Sequence, residues 1–142
     1  MTLRLDRAQL ESLRHHGEAD YPREACGLIG GVLQGDRKDA IILVPVVNAQ
    51  RDGQRRYLIE PESFRRAQVK LDRDGLDVVG VYHSHPDHPA RPSAYDLAQA
   101  WPWVSYVIVG VTRGAARDVR SWILADDRAS FVEELLEWQS PS

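Results

Sequence analysis

The sequence predicts an α/β fold in which helices flank a single mixed β-sheet. The first observation behind this prediction is that apolar, β-branched segments alternate with segments of helical periodicity. The second is size and composition, since 142 residues, 43% hydrophobic and 27% charged, suffice for one core. The third is that no repeat, low-complexity tract or linker divides the chain. We therefore predict one α/β (α+β mixed sheet) domain over residues 1–142.

The N-terminal segment has apolar residues at roughly helical spacing over residues 3–19, which predicts a first helix. Asp6 and Gln9 form a suitable N-terminal capping pair. Pro22 restricts the residue before it and predicts that the helix ends there.

A glycine-rich hairpin is predicted next, with one strand at residues 25–33 and its partner at residues 40–47. Pro45 places part of the second strand at a sheet edge or at a bulge. Residues 48–55 are polar and predict a loop. Three arginines in or beside this loop suit either an acidic partner or plain solvation: Arg51, Arg55 and Arg56.

The rest of the chain continues the alternation of helices and strands. The predicted segments are a strand-like piece at 57–59, a helix at 61–73, strands at 76–82, 104–111 and 119–124, and a short helix from Ser93 to before Pro102. Residues 131–139 fit both a helix and a closing edge strand, so the sequence leaves these two alternatives open.

Composition and charge exclude several classes of protein. The formal net charge of −3 and the isoelectric point near 5.9 argue against a chain that works by neutralising nucleic-acid phosphates. A single cysteine, Cys26, excludes an internal disulfide framework and a multi-cysteine zinc cluster. Charges interrupt every apolar run near the N-terminus, and no apolar stretch is long enough to span a membrane. We expect a soluble, cytoplasmic protein.

Three of the five histidines lie between residues 83 and 88. His83 and His85 continue a predicted strand, and side chains at i and i+2 of a strand project from the same face. They would present two imidazoles side by side, which suits a zinc-type ion with bonds of about 2.0–2.1 Å. Pro86 ends the strand there and places the pair at the mouth of the sheet.

A carboxylate follows eleven residues after His85. If Ser93 caps the short helix, Asp96 lies in its first turn and could complete a set of two histidines and one aspartate. Three protein ligands leave a fourth position for water, as in catalytic zinc sites, where the pKa of that water is lowered to about 7. The Ser93 hydroxyl is close enough in sequence to donate to a developing oxyanion.

A hydrolase of this kind also needs a carboxylate that transfers protons. Glu24, which precedes the glycine-rich strand and its small residues, is our choice. Glu60, at another predicted strand end before Pro61, is the alternative.

These residues together resemble the signature of the JAMM (MPN+) metalloprotease family. The resemblance rests on the run 83–86 (HSHP), on Pro92-Ser93 and on Asp96, with residues 22–27 (PREACG) similar to the segment of the catalytic glutamate. It extends over nearly the whole chain and is strongest toward the prokaryotic Mec+-like branch.

The resemblance implies a single JAMM/MPN domain with a cytidine-deaminase-like mixed sheet flanked by helices. It implies one Zn²⁺ ion held by His83, His85 and Asp96, with Glu24 as general acid/base and Ser93 stabilising the oxyanion. The implied reaction is hydrolysis, by zinc-bound hydroxide, of the amide bond after the C-terminal Gly-Gly tail of a ubiquitin-like sulfur-carrier protein (ThiS/MoaD-like). Deaminase activity itself is excluded, because its zinc ligands need more cysteines than this chain has.

Other interpretations remain open at this point. Ser93-x-x-Asp96 alone is a common helix-capping box. A non-catalytic MPN-type scaffold that binds partners, or an amidase that acts on small peptides, would also fit an MPN-like sequence. The oligomeric state is undetermined, a homodimer being possible.

Overall fold

The computed structural model describes residues 1–50 and 56–139 of the chain. Most of the predicted polar loop, including Arg51 and Arg55, lies outside the described residues. The elements follow in the order β1 (Thr2–Asp6), α1 (Arg7–Asp20), β2 (Cys26–Gln34), β3 (Arg37–Val46), α2 (Pro61–Arg73), β4 (Asp77–Pro86), α3 (Ala94–Gln99), β5 (Ser105–Thr112), β6 (Ala115–Leu124) and β7 (Phe131–Gln139).

The seven strands form one mixed sheet that closes on itself, in the order β1, β3, β2, β4, β5, β6, β7 and back to β1. Strand β4 runs parallel to β5, and β1 runs parallel to both β3 and β7, while the other neighbours are antiparallel. Helix α1 packs against β5 and β6, and α2 packs against β4. The predicted fold class, a mixed sheet flanked by helices, is confirmed. Within the described ranges, no helix is both long and apolar enough to cross a membrane.

The pairing of β2, β4 and β5 determines which residues meet at one edge of the sheet. Since β4 and β5 are parallel, their carboxyl ends lie at the same edge, with His85 opposite Gly110. Strand β2 is antiparallel to β4, so its first residue, Cys26, lies opposite His83. The segment that precedes β2 therefore arrives where β4 ends.

The predicted start of the first helix is wrong. Residues Thr2–Asp6 form strand β1, and the helix begins at Arg7. Leu3 and Leu5 are buried while their neighbours are less so, which is the alternation of a half-buried strand. Asp6 and Gln9 form the predicted capping box, with Gln9 N donating to Asp6 Oδ1 at 2.7 Å.

The ambiguous C-terminal segment is strand β7, which pairs with β6 on one side and with β1 on the other. The strand-like piece predicted at 57–59 is not a strand in the described structure. Its main chain is nevertheless tied to residues 48–49: Ala49 N donates to Leu58 O at 2.9 Å, and Leu58 N donates to Asn48 Oδ1 at 3.0 Å.

A buried polar cluster lies near the starts of β4 and β5, away from the end of β4. It consists of Lys38, Ser105, Ser121 and Glu134, from four different strands, all nearly inaccessible to solvent. Lys38 Nζ donates to Ser105 Oγ at 2.8 Å and lies 3.8 Å from Glu134 Oε2. Both serine hydroxyls donate to Glu134 Oε1. We call this group the Lys38–Glu134 cluster.

Candidate metal centre

The end of β4 carries the two histidines of the predicted pair. Strand β4 continues through Pro86, so His83 and His85 project from the same face, as their spacing predicts. Their Nε2 atoms lie 3.0 Å apart. His83 is fully buried and His85 is 8% exposed, so both rings face a largely dry site.

Asp96 reaches the same point from the first turn of α3. Asp96 Oδ2 lies 3.3 Å from the Nε2 atoms of both His83 and His85. The carboxylate is oriented by the capping box, in which Ser93 N donates to Asp96 Oδ2 at 2.8 Å and Asp96 N donates to Ser93 Oγ at 3.1 Å. The capping role and the convergence on the histidines are therefore compatible, because one carboxylate does both.

The three donor atoms fit one small divalent cation. Tetrahedral coordination with bonds of about 2.0–2.1 Å places neighbouring ligand atoms about 3.3 Å apart. The observed separations are 3.0 Å between the two nitrogens and 3.3 Å from each nitrogen to the carboxylate. Two imidazoles and one carboxylate make a donor set that suits zinc and that also accepts other divalent ions.

The ring of His85 is held in one tautomer. Its Nδ1 lies 2.9 Å from the main-chain oxygen of Pro89, so Nδ1 carries a proton and donates it, and in the neutral ring the lone pair is therefore on Nε2. The His83 ring stacks on Tyr57 with centroids 4.3 Å apart. Its Nδ1 has no hydrogen-bond partner within the described residues.

The ionisation of the cluster follows from burial and hydrogen bonding. Burial lowers the pKa of His83, which favours the neutral imidazole that a metal requires. Burial acts against the charged form of His85 too, but the hydrogen bonds to Asp96 and Pro89 raise its pKa overall. Burial would raise the pKa of Asp96, yet the hydrogen bonds from both histidines hold it well below the usual range.

The structure brings Glu24, and not Glu60, to the histidines. Glu24 is 3% exposed, and one of its carboxylate oxygens lies within 4.8 Å of a ring nitrogen of each histidine. Glu60 is exposed and occupies the N-cap position of α2. Ser93 lines the same cavity as Glu24 and His85.

Three residues that the sequence did not single out fix the geometry around Glu24. Asn48 Nδ2 donates to Glu24 O at 3.0 Å and to Arg56 O at 3.1 Å, which joins two loops beside the site. Ser84, between the two histidines, accepts from Ala25 N at 2.8 Å. Tyr57 covers the ring of His83, as described above. A buried asparagine in a polar loop has no sequence signal that distinguishes it from its solvated neighbours.

Cys26, the other chemically reactive side chain nearby, is a core residue. It is fully buried, and burial raises the pKa of its thiol to about 12. Its Sγ contacts Val46 O at 3.6 Å. A protonated, inaccessible thiol is a small apolar side chain.

Comparison with known proteins gives the family. The family model for prokaryotic homologues of the JAB domain matches residues 6–125. A probable TtuB-protein conjugate cleaving protease of Thermus thermophilus is 34% identical over 110 residues, covering 78% of this chain and 71% of the relative. The CysO-cysteine peptidase of Mycobacterium tuberculosis is 33% identical over 112 residues, covering 78% of this chain and 75% of the relative.

A solved structure is similar to almost the whole chain. The solution structure of a protein from Desulfitobacterium hafniense superposes with a TM-score of 0.86 at 28% identity, covering 99% of this chain and 94% of that chain. The resemblance inferred from the histidine, serine and aspartate motif is therefore confirmed. The chain belongs to the prokaryotic JAB family and is a hydrolase that acts on peptide or isopeptide bonds.

Proposed function

We propose that this protein is a zinc-dependent peptidase that hydrolyses the amide bond after the C-terminal Gly-Gly tail of a ubiquitin-like sulfur carrier. The observation that carries the proposal is the convergence of His83, His85 and Asp96, whose donor atoms lie 3.0–3.3 Å apart beside Glu24. A divalent cation bound there would compensate the charge of the buried Asp96 carboxylate without protonation of a histidine.

In this proposal His83 and His85 bind the metal through Nε2, and Asp96 binds it through its carboxylate. Bound zinc would lower the pKa of a water molecule toward 7 and polarise the substrate carbonyl. The hydrogen bond from His85 to Pro89 and the capping box on Asp96 keep these two ligands oriented without the substrate.

Glu24 takes a proton from the attacking water and delivers it to the leaving nitrogen. Its burial and its place beside the histidines suit this task, since a general base must lie within reach of the reacting atoms. Ser93 donates its hydroxyl proton to the developing oxyanion. Its oxygen already accepts from Asp96 N, and a hydroxyl can accept and donate at the same time.

The substrate class is carried over from the family resemblance and from the names of two relatives. One relative is named for cleaving TtuB-protein conjugates and the other for cleaving CysO-cysteine. We extend these two activities to a ThiS/MoaD-like carrier with a Gly-Gly end.

The direct test uses a ThiS-type carrier extended by one alanine after its Gly-Gly tail. We expect zinc-loaded enzyme to release alanine, and Glu24→Gln to bind zinc equally but to react roughly 10²- to 10⁴-fold more slowly. Glu60→Gln is the matched control, because it changes an exposed glutamate outside this cavity. Mass spectrometry of the carrier and elemental analysis of the protein give the two readouts.

Near wild-type turnover by Glu24→Gln would refute the role of Glu24. Zinc binding without hydrolysis of any carrier adduct would favour the partner-binding scaffold. Faster cleavage of a free C-terminal peptide than of the intact carrier would favour the small-peptide amidase.

A further inference from the structure

A cavity of about 520 Å³ opens beside the metal ligands. Its lining includes the proposed general base, one metal ligand and the proposed oxyanion donor, together with loop residues: Glu24, His85, Pro86, His88, Pro89, Arg91 and Ser93. Among the described residues of this lining, Arg91 is the one permanently charged cation. No step of the proposed hydrolysis uses it.

The main chain on the N-terminal side of Arg91 is anchored to the site. Pro89 O accepts from Arg91 N at 2.8 Å and also faces His85 Nδ1 at 2.9 Å. Ala90 is buried, and its carbonyl accepts from Trp122 Nε1 at 3.0 Å. The position of Arg91 is therefore coupled to that of a metal ligand.

The guanidinium of Arg91 is exposed and makes no ion pair or side-chain hydrogen bond with the described residues. Asp87, the carboxylate in the same loop, is engaged elsewhere. It accepts from Tyr21 Oη at 2.6 Å and from Arg113 N at 2.8 Å. Arg91 thus lines the cavity on an anchored main chain, and the five donors of its side chain are not used by the described residues.

The leaving group determines whether an anion comes near this cation. Hydrolysis adds the oxygen of water to the carbonyl carbon, breaks the carbon–nitrogen bond and gives the nitrogen a proton. If the leaving group is a free amino acid, its α-carboxylate is only two bonds from that nitrogen. If it is a lysine side chain of another protein, an uncharged carbon chain occupies this place. Guanidinium pairs with carboxylate through two parallel hydrogen bonds.

We propose that Arg91 binds the α-carboxylate of a single amino acid leaving from the carrier, and that this contact makes the enzyme prefer such adducts to conjugates through lysine. The inference rests on the proposed function, since it assumes that the carrier tail reacts at the metal. Arg91 is then a residue that determines specificity for the leaving group.

The test compares two forms of one probe, the ThiS-type carrier extended by one alanine, with its C-terminus as the free acid or as the amide. For wild-type enzyme we expect kcat/KM to be about 10- to 100-fold higher for the acid, the range for hydrogen bonds to a charged group. Arg91→Gln should remove this difference by slowing the acid alone, and Arg91→Lys should restore part of it. Arg117→Gln, an exposed arginine on β6 outside the cavity, is the control and should keep the difference.

Equal rates for acid and amide with the wild type would overturn the inference while leaving the proposed function standing. The inference would also be overturned if Arg91→Gln slowed cleavage of the acid and the amide equally. Arg91 would then affect catalysis without recognising the carboxylate. Failure of zinc-loaded wild type to cleave either form would overturn both proposals.

Discussion

Two buried polar clusters occupy different ends of the sheet, and they balance their charges in different ways. The Lys38–Glu134 cluster contains a carboxylate together with its own cation and two hydroxyl donors. The cluster of His83, His85 and Asp96 gathers three donor atoms at one point, with no lysine or arginine among its hydrogen-bond and ion-pair partners in the described ranges. Both are costly to bury unless each charge is compensated.

The difference separates a structural cluster from a chemical one. In the first, the chain supplies both the anion and the cation. Burial lowers the pKa of Lys38, while the negative charge of Glu134 acts to raise it. In the second, the histidines themselves offset the charge of Asp96, and the three donor atoms converge at a spacing that would suit one divalent cation. A buried cluster of titratable groups beside a cavity is therefore the better pointer to function.

The largest expected effect, on metal binding and on turnover, comes from removing one of the proposed metal ligands. We expect His83→Ala and Asp96→Ala to lose the bound metal and to lower turnover by roughly 10³-fold or more, because the Lewis acid is gone. Elemental analysis and a carrier-cleavage assay measure the two effects. His88→Ala, an exposed histidine in the same cavity, should retain the metal. One equivalent of zinc in both ligand variants would contradict the ligand set.

The second effect concerns stability at the other cluster. Lys38→Met leaves Glu134 buried without its cation, so we expect the free energy of unfolding to fall by about 3–5 kcal/mol. Adding Glu134→Leu should recover most of this loss, because the pair is then replaced by apolar groups. Urea denaturation measures both, and zinc content should not change. A loss below about 1 kcal/mol, the range of exposed pairs, would mean that the cluster is solvated.

The smallest effect concerns the coupling between the two clusters. Zinc at a hundredfold excess over its Kd should stabilise the folded protein by about 2.7 kcal/mol, and a chelator should remove this. This zinc-dependent stabilisation should be the same in Lys38→Met, because distant sites contribute additively. It should be absent in Asp96→Ala, because that variant lacks a proposed zinc ligand. Thermal or urea unfolding with and without chelator checks it. A smaller increment in Lys38→Met would show that the two clusters are coupled.

The sequence predicted that His83, His85 and Asp96 converge, because the geometry that brings them together is local. The period of a strand places His83 and His85 on one face, and a capping box places Asp96 in the first turn of a helix. The choice of Glu24 over Glu60 was less constrained, since it depends on β2 running antiparallel to β4.

The parts that the sequence missed depend on long-range pairing. Strand β1 is stabilised by neighbours from β3 and from β7, so its five residues carry little strand signal of their own. The Lys38–Glu134 cluster joins residues almost a hundred positions apart, on strands whose pairing no local pattern predicts. The sequence places Asn48 in a polar loop, although its buried side chain makes hydrogen bonds with two separate segments, at Glu24 and at residues 56–58.

Strand β1, at the N-terminal end of the described residues, pairs with β7 at their C-terminal end, and we call this pairing the seam. The family match covers residues 6–125, so nearly all of the seam lies outside it. Glu134 is on the seam, whereas the two histidines and Asp96 are on β4 and α3. If the seam opened transiently, the Lys38–Glu134 cluster would come apart, while the pairing of β2, β4 and β5 would still hold Glu24 beside His83 and His85. Amide hydrogen exchange should accordingly be faster in β1 and β7 than in β2, β4 and β5.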